Sequence, residues 1–431
     1  MNGMRKKVTA SEKICKEIRE TFEKDFGRAE NLDDLLSRLM NLSIKRILVE
    51  ALEAEVDSYL GRGYYSRGER ERNGYRNGYE SKNITTSEGK IKIPVPQVRD
   101  SGETYRSGIL SNIPRISPAL EKAAVEAYVR GLSTRDIEKV FVDENGESLL
   151  SKDSVSLLTE SLWEEYDAFQ SRSLSDLDVV YLFVDGVYES LRRRTGMKEA
   201  ILCAWGILSD GRKILISLAQ GNKECHATWR DFFRDMVKRG LRMPLLIVQD
   251  GNPGGIKAAE EIFTKTKRQR CIAHKLRNIA NTLSRNEIET ILPRFKAVYY
   301  AEDRGIAEIL VKRIVEDFSE VYPGAVKCML DDLDACLSHL DFPPGHRKYI
   351  RTTNLLERCF VEEKRRTKII PGFFTEKSAL KLVYGTLIRA SEKWQRIKMT
   401  PLELALLKNV RKLMGGEENS RFISFSFEKV V

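Results

Sequence analysis

The sequence predicts a mixed α/β fold for the second half of the chain. Strand patterns there are apolar and end at turn signals, and helical patterns with one apolar face lie between them. Strands and helices that alternate in this way are typical of a mixed sheet covered by helices. The predicted order is strand, strand, strand, helix, strand, helix, over residues 178–190, 200–221 (two strands around Ser209-Asp210-Gly211), 226–238, 245–251 and about 256–263.

Apolar spacing also predicts part of the core and a long helical segment. Trp229 recurs at helical spacing with Phe232 and Phe233, which most simply makes all three core residues. From roughly 275 to 340 the pattern is helical, and Pro293 is one of its interruptions.

The N-terminal part is predicted to be helical and then basic. Residues 10–60 have helical spacing, with Asn31 as a cap, and packing or self-association is the simplest role for this helix. Residues 61–82 combine glycine, tyrosine and arginine, which suits either phosphate contact with base stacking or a solvated linker. Alternating apolar residues over 91–95 predict a short strand or hairpin, which prolines push to an edge.

Residues 116–165 are predicted to form three helices. Gly131 ends the first helix, and Ser133 begins the second with Asp136 placed to complete a capping box. The third starts at Ser151. A helix, a glycine-containing turn and a second helix form the helix-turn-helix pattern, which favours DNA binding, although a plain three-helix packing module has the same pattern.

Composition narrows the class of protein. Lysine and arginine number 73 against 63 acidic residues, and the net charge of +10 favours a polyanionic partner, most simply nucleic acid. Apolar residues at 42% exclude a disordered chain. The sequence contains no run of about 18 uncharged apolar residues, so no transmembrane helix is predicted. The first residues lack the apolar stretch of a secretory signal, so no such signal is predicted. Seven scattered cysteines indicate a reducing cytosol rather than a disulfide scaffold.

Shifts in composition and pattern predict the domain boundaries. The predicted segments are an N-terminal helical segment (1–60), a basic Gly/Tyr-rich segment with short strands (61–115), a helix-turn-helix-like domain (116–172), the first part of an α/β core (175–274), a helical segment (275–345), the last part of the core (346–400) and a C-terminal tail (401–431).

Two carboxylates, Asp185 and Asp250, stand at the ends of predicted buried strands, and Glu357 lies near the start of the last strong helix. Strand ends of open α/β sheets are where ligands gather. Three converging carboxylates can hold two divalent cations about 4 Å apart, which is an arrangement suited to phosphodiester chemistry. Ligands that are all oxygen favour Mg²⁺ or Mn²⁺.

Each carboxylate also has an ordinary structural explanation. Asp-Gly after a strand is a common turn, and Glu357 could be the acidic half of a cap with Asn354. Asp178 and Asp210 are rival strand-end carboxylates, of which Asp210 is discounted because it lies in a predicted hairpin turn.

The last helix favours the chemical interpretation. At about 100° per residue its apolar residues fall on the face opposite Glu357. A carboxylate followed by a basic stripe would place a metal ligand beside a phosphate backbone. The residues on that face are Asn354, Glu357, Arg358, Val361, Lys364, Arg365 and Lys368.

Cys271 and His274 form a Cys-x-x-His motif of uncertain role. Such a pair could be half of a zinc site, with Cys225 and His226 as the other half. It could equally be a small buried cysteine and a hydrogen-bonded histidine that need no metal.

The chain resembles the transposases of bacterial insertion sequences related to the plant Mutator element. The matching segments run from about residue 45 to 400 and are specific in their order and spacing. They are RNGYRNGYESKNITTSEGKIKIPVPQVRD, GLSTRDI, FVDGVYES, VQDGNPGGIKAAEEIF, QRCIAHKLRNI and RTTNLLERCFVEEKRRTK. The glycine-rich second acidic motif and the Glu362-Glu363 pair depart from the expected pattern without removing a carboxylate.

The resemblance implies a ribonuclease-H-like catalytic core with an Asp-Asp-Glu triad, interrupted by an all-α insertion and preceded by helical DNA-binding domains. By motif position Asp185, Asp250 and Glu357 are the catalytic residues and the ligands of two Mg²⁺ or Mn²⁺ ions. The implied reaction is hydrolysis at the element ends, which frees a 3′-hydroxyl, followed by attack of that hydroxyl on a target strand. Family members also carry the Cys271-x-x-His274 segment near the active site.

The expected partners are double-stranded DNA, as terminal inverted repeats and target, and further copies of the chain, because joining two DNA ends requires both in one complex. No membrane is expected, and the expected location is the cytoplasm of a prokaryote. A non-catalytic helix-turn-helix regulator and a metal-dependent nuclease without strand transfer remain alternatives. The residues predicted to contact DNA are Arg72, Arg76, Arg135, Lys152, Lys275, Arg277, Asn354, Arg358, Lys364, Arg365, Arg366 and Lys368.

Overall fold

The computed structural model describes residues 8–25, 32–63, 74–101, 104–143, 145–190, 198–221, 225–367 and 375–415. Within these residues no helix is long and apolar enough to cross a membrane. The chain divides into two compact units, Met1–Ser161 and Leu162–Val431.

The first unit contains helices and one hairpin. Its elements are α1 (Ala10–Asp25), α2 (Leu32–Leu60), β1 (Tyr75–Thr86), β2 (Gly89–Arg99), α3 (Gly108–Asn112), α4 (Pro118–Val129), α5 (Thr134–Val140) and α6 (Lys152–Leu158). Asn31, the predicted cap of α2, lies outside the described residues.

The N-terminal helices share a core with an antiparallel hairpin. Ile91, Ile93 and Val95 point inward from β2 against Val49 and Leu52 of α2, as the alternation predicts. Both strands of a two-stranded sheet are edges, so the prolines of β2 break no central ladder. The hairpin is longer than predicted, because β1 begins within the segment read as a linker or DNA contact.

Three short helices, α4 to α6, form a separate small core. Gly131 has a positive φ of 102° where α4 ends, and Ser133 and Asp136 complete the predicted capping box of α5. The third helix ends at Leu158, and a new helix begins at Glu160, so the predicted single helix to about 165 is two helices.

The second unit is α/β. Its elements are α7 (Glu160–Ser171), β3 (Val179–Ser190), β4 (Lys198–Leu208), β5 (Lys213–Gly221), α8 (His226–Lys238), β6 (Leu246–Gln249), α9 (Pro253–Ile262), β7 (Lys267–Arg270), α10 (Ile272–Ala280), α11 (Arg285–Tyr299), α12 (Arg304–Phe318), α13 (Pro323–Leu330), α14 (Leu333–Leu337), a 3-10 turn (Ser338–Asp341), α15 (Pro344–Ile350), α16 (Asn354–Thr367), α17 (Glu376–Glu392) and α18 (Pro401–Gly415).

The sheet is mixed, with strand order β5-β4-β3-β6-β7. β4 pairs antiparallel with both β3 and β5, whereas β6 is parallel to β3 and to β7. Side chains alternate along β3, so Tyr181 and Phe183 face one core with α16 and α17, while Leu182 and Val184 face the other with α8 and α9. The predicted core residue Trp229 is 3% exposed in this second core, which confirms that prediction.

Between β7 and α16 the chain is helical and has its own apolar core, which includes Phe295, Val298 and Tyr299. The prediction that Pro293 interrupts this helical segment is wrong, because Pro293 lies inside α11.

Three further elements differ from the sequence prediction. β7 was missed because its sequence, Lys-Arg-Gln-Arg, has no apolar residue. α9 begins at Pro253 because proline is tolerated at the first helical position and Asn252 caps the helix. The predicted C-terminal tail from 401 begins with a helix, α18, which buries Leu407 in the core beside the sheet.

Candidate functional site

Asp185 and Asp250 lie at adjacent positions of neighbouring parallel strands. Phe183 of β3 pairs with Val248 of β6, and the same register continued by two residues sets Asp185 beside Asp250. Neighbouring strands are about 4.8 Å apart, so this register would set the two carboxylates side by side. Asp250 follows the end of β6 as predicted, but Asp185 lies inside β3, which continues to Ser190, so the prediction that Asp185 ends a strand is wrong. Each carboxylate accepts a nearby backbone N–H: Gly186 N donates to Asp185 at 2.8 Å, and Asn252 N donates to Asp250 at 2.9 Å.

Glu357 reaches this region from α16, which packs against β3. Its Oε1 atom lies 3.6 Å from His274 Nε2. The same oxygen is buried, and no residue in the described part of the chain donates a hydrogen bond to it. A buried carboxylate oxygen without a donor is costly, so it is suited to a cation.

His274 links the two sides of the site electrostatically. The neighbouring Cys271 side chain raises the pKa of His274 to about 9, although burial opposes that shift. The negative charges of Asp185 and Glu357 raise the pKa of His274 further. The imidazole therefore lies within the field of two of the predicted catalytic carboxylates, which favours its protonated form.

Cys271 is fully buried beneath His274 and accepts two hydrogen bonds from Thr353. Thr353 N donates to the sulfur at 3.3 Å and Thr353 Oγ1 at 3.2 Å. Burial opposes ionisation of the thiol, but hydrogen bonds from His274 and Thr353 outweigh it and lower the pKa of Cys271. The motif thus ties α10 to the start of α16, which carries Glu357.

The three predicted carboxylates do not form a close metal-ligand cluster among the described residues, because Asp185 and Asp250 do not belong to the group that contains Glu357. Carboxylate oxygens are the type of ligand that suits Mg²⁺ or Mn²⁺. Potential ligand atoms of Cys271, His274 and Glu357 lie within 4.8 Å of one another, a softer set that suits zinc.

The predicted other half of a zinc site does not join this cluster. Cys225 Sγ lies 3.3 Å from Thr228 Oγ1, and His226 Nε2 lies 3.0 Å from Glu261. Neither side chain belongs to the cluster of metal-ligand type found among the described residues.

The rival carboxylates are occupied by arginines. Arg411 Nη2 donates to Asp178 at 2.8 Å, and Arg212 Nε donates to Asp210 at 2.6 Å. Asp178 precedes β3 and Asp210 lies in the β4–β5 turn, at the end of these strands away from Asp185.

Several predicted DNA contacts lie on exposed surfaces. On α16, Val361 is 64% exposed within the basic stripe and Arg366 is half-buried. The predicted contacts that are exposed are Arg135, Lys152, Arg277, Asn354, Arg358, Lys364 and Arg365. Arg72 and Lys368 lie outside the described residues.

Two predicted DNA contacts need correction. Lys275 is fully buried, and its ammonium group donates to the carbonyl of Asp331, so the prediction that Lys275 contacts DNA is wrong. Arg76 binds Asp57 and is 18% exposed in its side chain, so it joins β1 to α2 rather than facing solvent.

Sequence reasoning missed Arg270, whose guanidinium lies directly against Gly251, the residue after Asp250. A Cβ atom at Gly251 would overlap that guanidinium. Asp332 holds Arg270 at 3.3 Å and also binds Arg268. The only signal in the sequence is the position of Arg270 next to the Cys271 motif.

Comparison with known proteins places this architecture in a family. The family described as "Transposase, Mutator family" matches residues 13–397. The chain is 32% identical to the transposase for insertion sequence element ISRM5 of Rhizobium meliloti, over 81% of this chain and 87% of that protein. It is 35% identical to that of IS6120 of Mycolicibacterium smegmatis (65% and 87%) and 29% identical to that of IS256 in transposon Tn4001 of Staphylococcus aureus (80% and 88%). The chain therefore belongs to the Mutator family of transposases.

Proposed function

We propose that this chain is a metal-dependent DNA transposase whose active site consists of Asp185, Asp250 and Glu357. The observation that carries the proposal is the register of β3 and β6, which would set Asp185 beside Asp250, together with the electrostatic effect of both Asp185 and Glu357 on His274. These relations connect residues that are remote in sequence, which an ordinary Asp-Gly turn or helix cap does not require.

The fold supports the same proposal. Three antiparallel strands followed by two parallel ones, in the order β5-β4-β3-β6-β7, are consistent with a ribonuclease-H-like core. On this interpretation the helices over 272–350 are an all-α insertion between the second and third carboxylates.

The three carboxylates would hold two Mg²⁺ or Mn²⁺ ions, and the buried oxygen of Glu357 fits that role. Bound ions would activate the attacking oxygen and stabilise the leaving oxygen of the phosphodiester. His274 would keep Glu357 in place as a charged neighbour. Exposed Arg358, Lys364 and Arg365 would bind DNA phosphates beside the site.

The proposed reaction has two steps on DNA. Hydrolysis at an element end frees a 3′-hydroxyl, and that hydroxyl attacks a phosphodiester of target DNA. The exposed Arg135 and Lys152 of the small helical core would contact the terminal repeats. We further propose that at least two copies act together, because two ends must be joined in one event.

The test is a strand-transfer assay with the purified chain. Labelled duplexes carrying the DNA that flanks the coding sequence are incubated with an unlabelled plasmid and Mg²⁺. Joined products are expected from the unmodified chain and not from Asp185→Asn, Asp250→Asn or Glu357→Gln. Asp210→Asn is the matched control, because it removes a strand-end carboxylate that pairs with Arg212.

Each outcome discriminates between functions. Cut ends without joined products would indicate a nuclease. End binding by the unmodified chain without cut or joined products would reduce the chain to a DNA-binding regulator, and joined products that persist in all three carboxylate variants would refute the proposed active site.

A further inference from the structure

Two tyrosines of the second unit are each flanked by two cations. The Nζ atoms of Lys213 and Lys348 lie 5.3 Å and 4.9 Å from the ring centroid of Tyr349. Around Tyr300, the guanidinium carbon of Arg351 lies 3.9 Å from the ring centroid and Lys296 Nζ lies 5.1 Å from it. We name these two clusters together the tyrosine–cation face: Lys213, Lys296, Tyr300, Lys348, Tyr349 and Arg351.

Among the residues that the structure describes, no carboxylate neutralises these cations. Other surface arginines of the same unit bind aspartates, such as Arg294 with Asp317 at 3.1 Å and Arg304 with Asp334 at 2.9 Å. No described carboxylate forms an ion pair with any of the four cations of the tyrosine–cation face. Aromatic rings hold these cations, so their full charge remains available to a ligand.

A fifth cation extends the face toward the candidate active site. Burial and the positive charge of Arg358 lower the pKa of Lys213. Arg358 is exposed and follows Glu357 directly in α16. The face therefore continues onto the helix that carries the third carboxylate.

Backbone contacts fix the face to the site as well. The carbonyl of Arg351 accepts a hydrogen bond from Ile272 N at 3.0 Å, the residue after Cys271. Two residues later, Thr353 N donates a hydrogen bond to the Cys271 sulfur. The carbonyl oxygen of Thr353 accepts a hydrogen bond from Glu357 N at 3.1 Å. Arg351 therefore stands at the border of the cluster around Glu357.

We propose that the tyrosine–cation face binds the phosphodiester backbone of DNA beside the candidate active site. Clustered unpaired cations repel one another, and a polyanion with regularly spaced charges relieves that repulsion and releases counterions. Tyrosine rings limit the motion of the cations, so less side-chain entropy is lost on binding. The proposal rests on the proposed function, because it takes the DNA to be the strand that is cut or joined. Of these residues only Arg358 has a sequence-predicted DNA role.

The test measures DNA affinity without added divalent metal. Fluorescence anisotropy gives the Kd of a labelled 30-bp duplex at several salt concentrations for the paired variant Lys213→Gln with Lys348→Gln. If both cations contact phosphates, the slope of log Kd against log salt falls by about 2. Lys312→Gln with Arg313→Gln is the matched control, since these exposed cations of α12 lie on another helix and the net charge changes equally. Thermal melting confirms that both variants fold.

Two duplexes distinguish the sources of the DNA, one carrying the DNA that flanks the coding sequence and one of unrelated sequence. Weaker binding of either or both supports the proposal and assigns the face to terminal DNA, target DNA or both. Unchanged affinity and slope for both duplexes, or an equal loss in the α12 control, overturns it. The strand-transfer assay of the carboxylate variants tests the proposed function and not the tyrosine–cation face. The two tests are independent, because Asp185→Asn is expected to bind DNA with the same salt slope as the wild type.

Discussion

Asp332 stabilises the second unit by pairing with two arginines of β7. Arg268 Nη1 donates to Asp332 at 2.6 Å, and Arg270 Nη1 donates to it at 3.3 Å. Side-chain exposures are 17% for Asp332, 19% for Arg268 and 11% for Arg270. Asp332 has a positive φ of 61°, a conformation that asparagine also tolerates. Asp332→Asn therefore removes the charge while it preserves the backbone.

The expected loss is large because it leaves two mostly buried cations less well paired. Removing one partner of a buried ion pair costs about 3–5 kcal/mol, and the lower end applies since Arg268 and Arg270 keep more distant carboxylates. Glu260 lies 3.6 Å from Arg268, and Asp331 lies 3.7 Å from Arg270. A loss of about 3 kcal/mol lowers the melting temperature by roughly 6–12 °C.

Asp334→Asn is the matched control for this measurement. Asp334 pairs with Arg304 at 2.9 Å, but its side chain is 67% exposed. Exposed pairs contribute less than about 1 kcal/mol, so the control should melt close to the wild type. Equal melting temperatures for the two variants, by circular dichroism at neutral pH, would refute the burial argument.

The pH dependence provides a second check on Asp332. Burial opposes its ionisation, but hydrogen bonds and charge from Arg268 and Arg270 outweigh it and hold the pKa of Asp332 below its usual value. A lowered carboxyl pKa stabilises the folded state above the unfolded pKa of about 3.9 and loses that effect as pH falls through the folded value. The difference between wild type and Asp332→Asn should shrink as pH falls below about 4.

Two further predictions concern the turn of the β4–β5 hairpin and the Cys-x-x-His motif. Gly211→Ala should lower the free energy of unfolding by more than about 1 kcal/mol, because Gly211 has a φ of +83° and a Cβ atom there would overlap the carbonyl oxygen of Ile397. Denaturant titration measures this loss. A variant as stable as the wild type would contradict the close approach of the two backbones. In metal-free protein, NMR should show His274 titrating near pH 9, and Cys271→Ala should lower that pKa toward about 6.5, since Cys271 is the largest cause of the shift. Because the folded pKa is raised, the associated stability is present below about pH 6.5 and is lost as pH rises through about 9; an unchanged His274 titration in the variant would show that Cys271 is not the cause.

Local patterns were sufficient where neighbours in sequence determine the structure. The capping box of Ser133 and Asp136 forms as predicted, because its two hydrogen bonds lie within one turn. The α8 boundaries are confirmed at 226–238, since its aromatic residues recur at the helical period. The paired strands β4 and β5 form as predicted from the apolar runs on either side of the turn at Gly211.

Patterns failed where a distant partner supplies the stabilising contact. β7 has no apolar residue and is instead held by parallel pairing with β6 and by two carboxylates, Glu260 of α9 and Asp332 immediately before α14. Lys275 reads as an exposed cation beside a motif, yet packing of α10 buries it and Asp331 binds its ammonium group.

For this protein, the order of carboxylate motifs and the Mutator resemblance could be read from the sequence alone, because residue types and spacing carry them. The tertiary structure decided the rest: the register of β3 against β6, the position of His274 within the field of Glu357, and the packing of cations around Tyr300 and Tyr349. These features depend on distances between remote residues. Strand register and helix docking set such distances, and no local period encodes them.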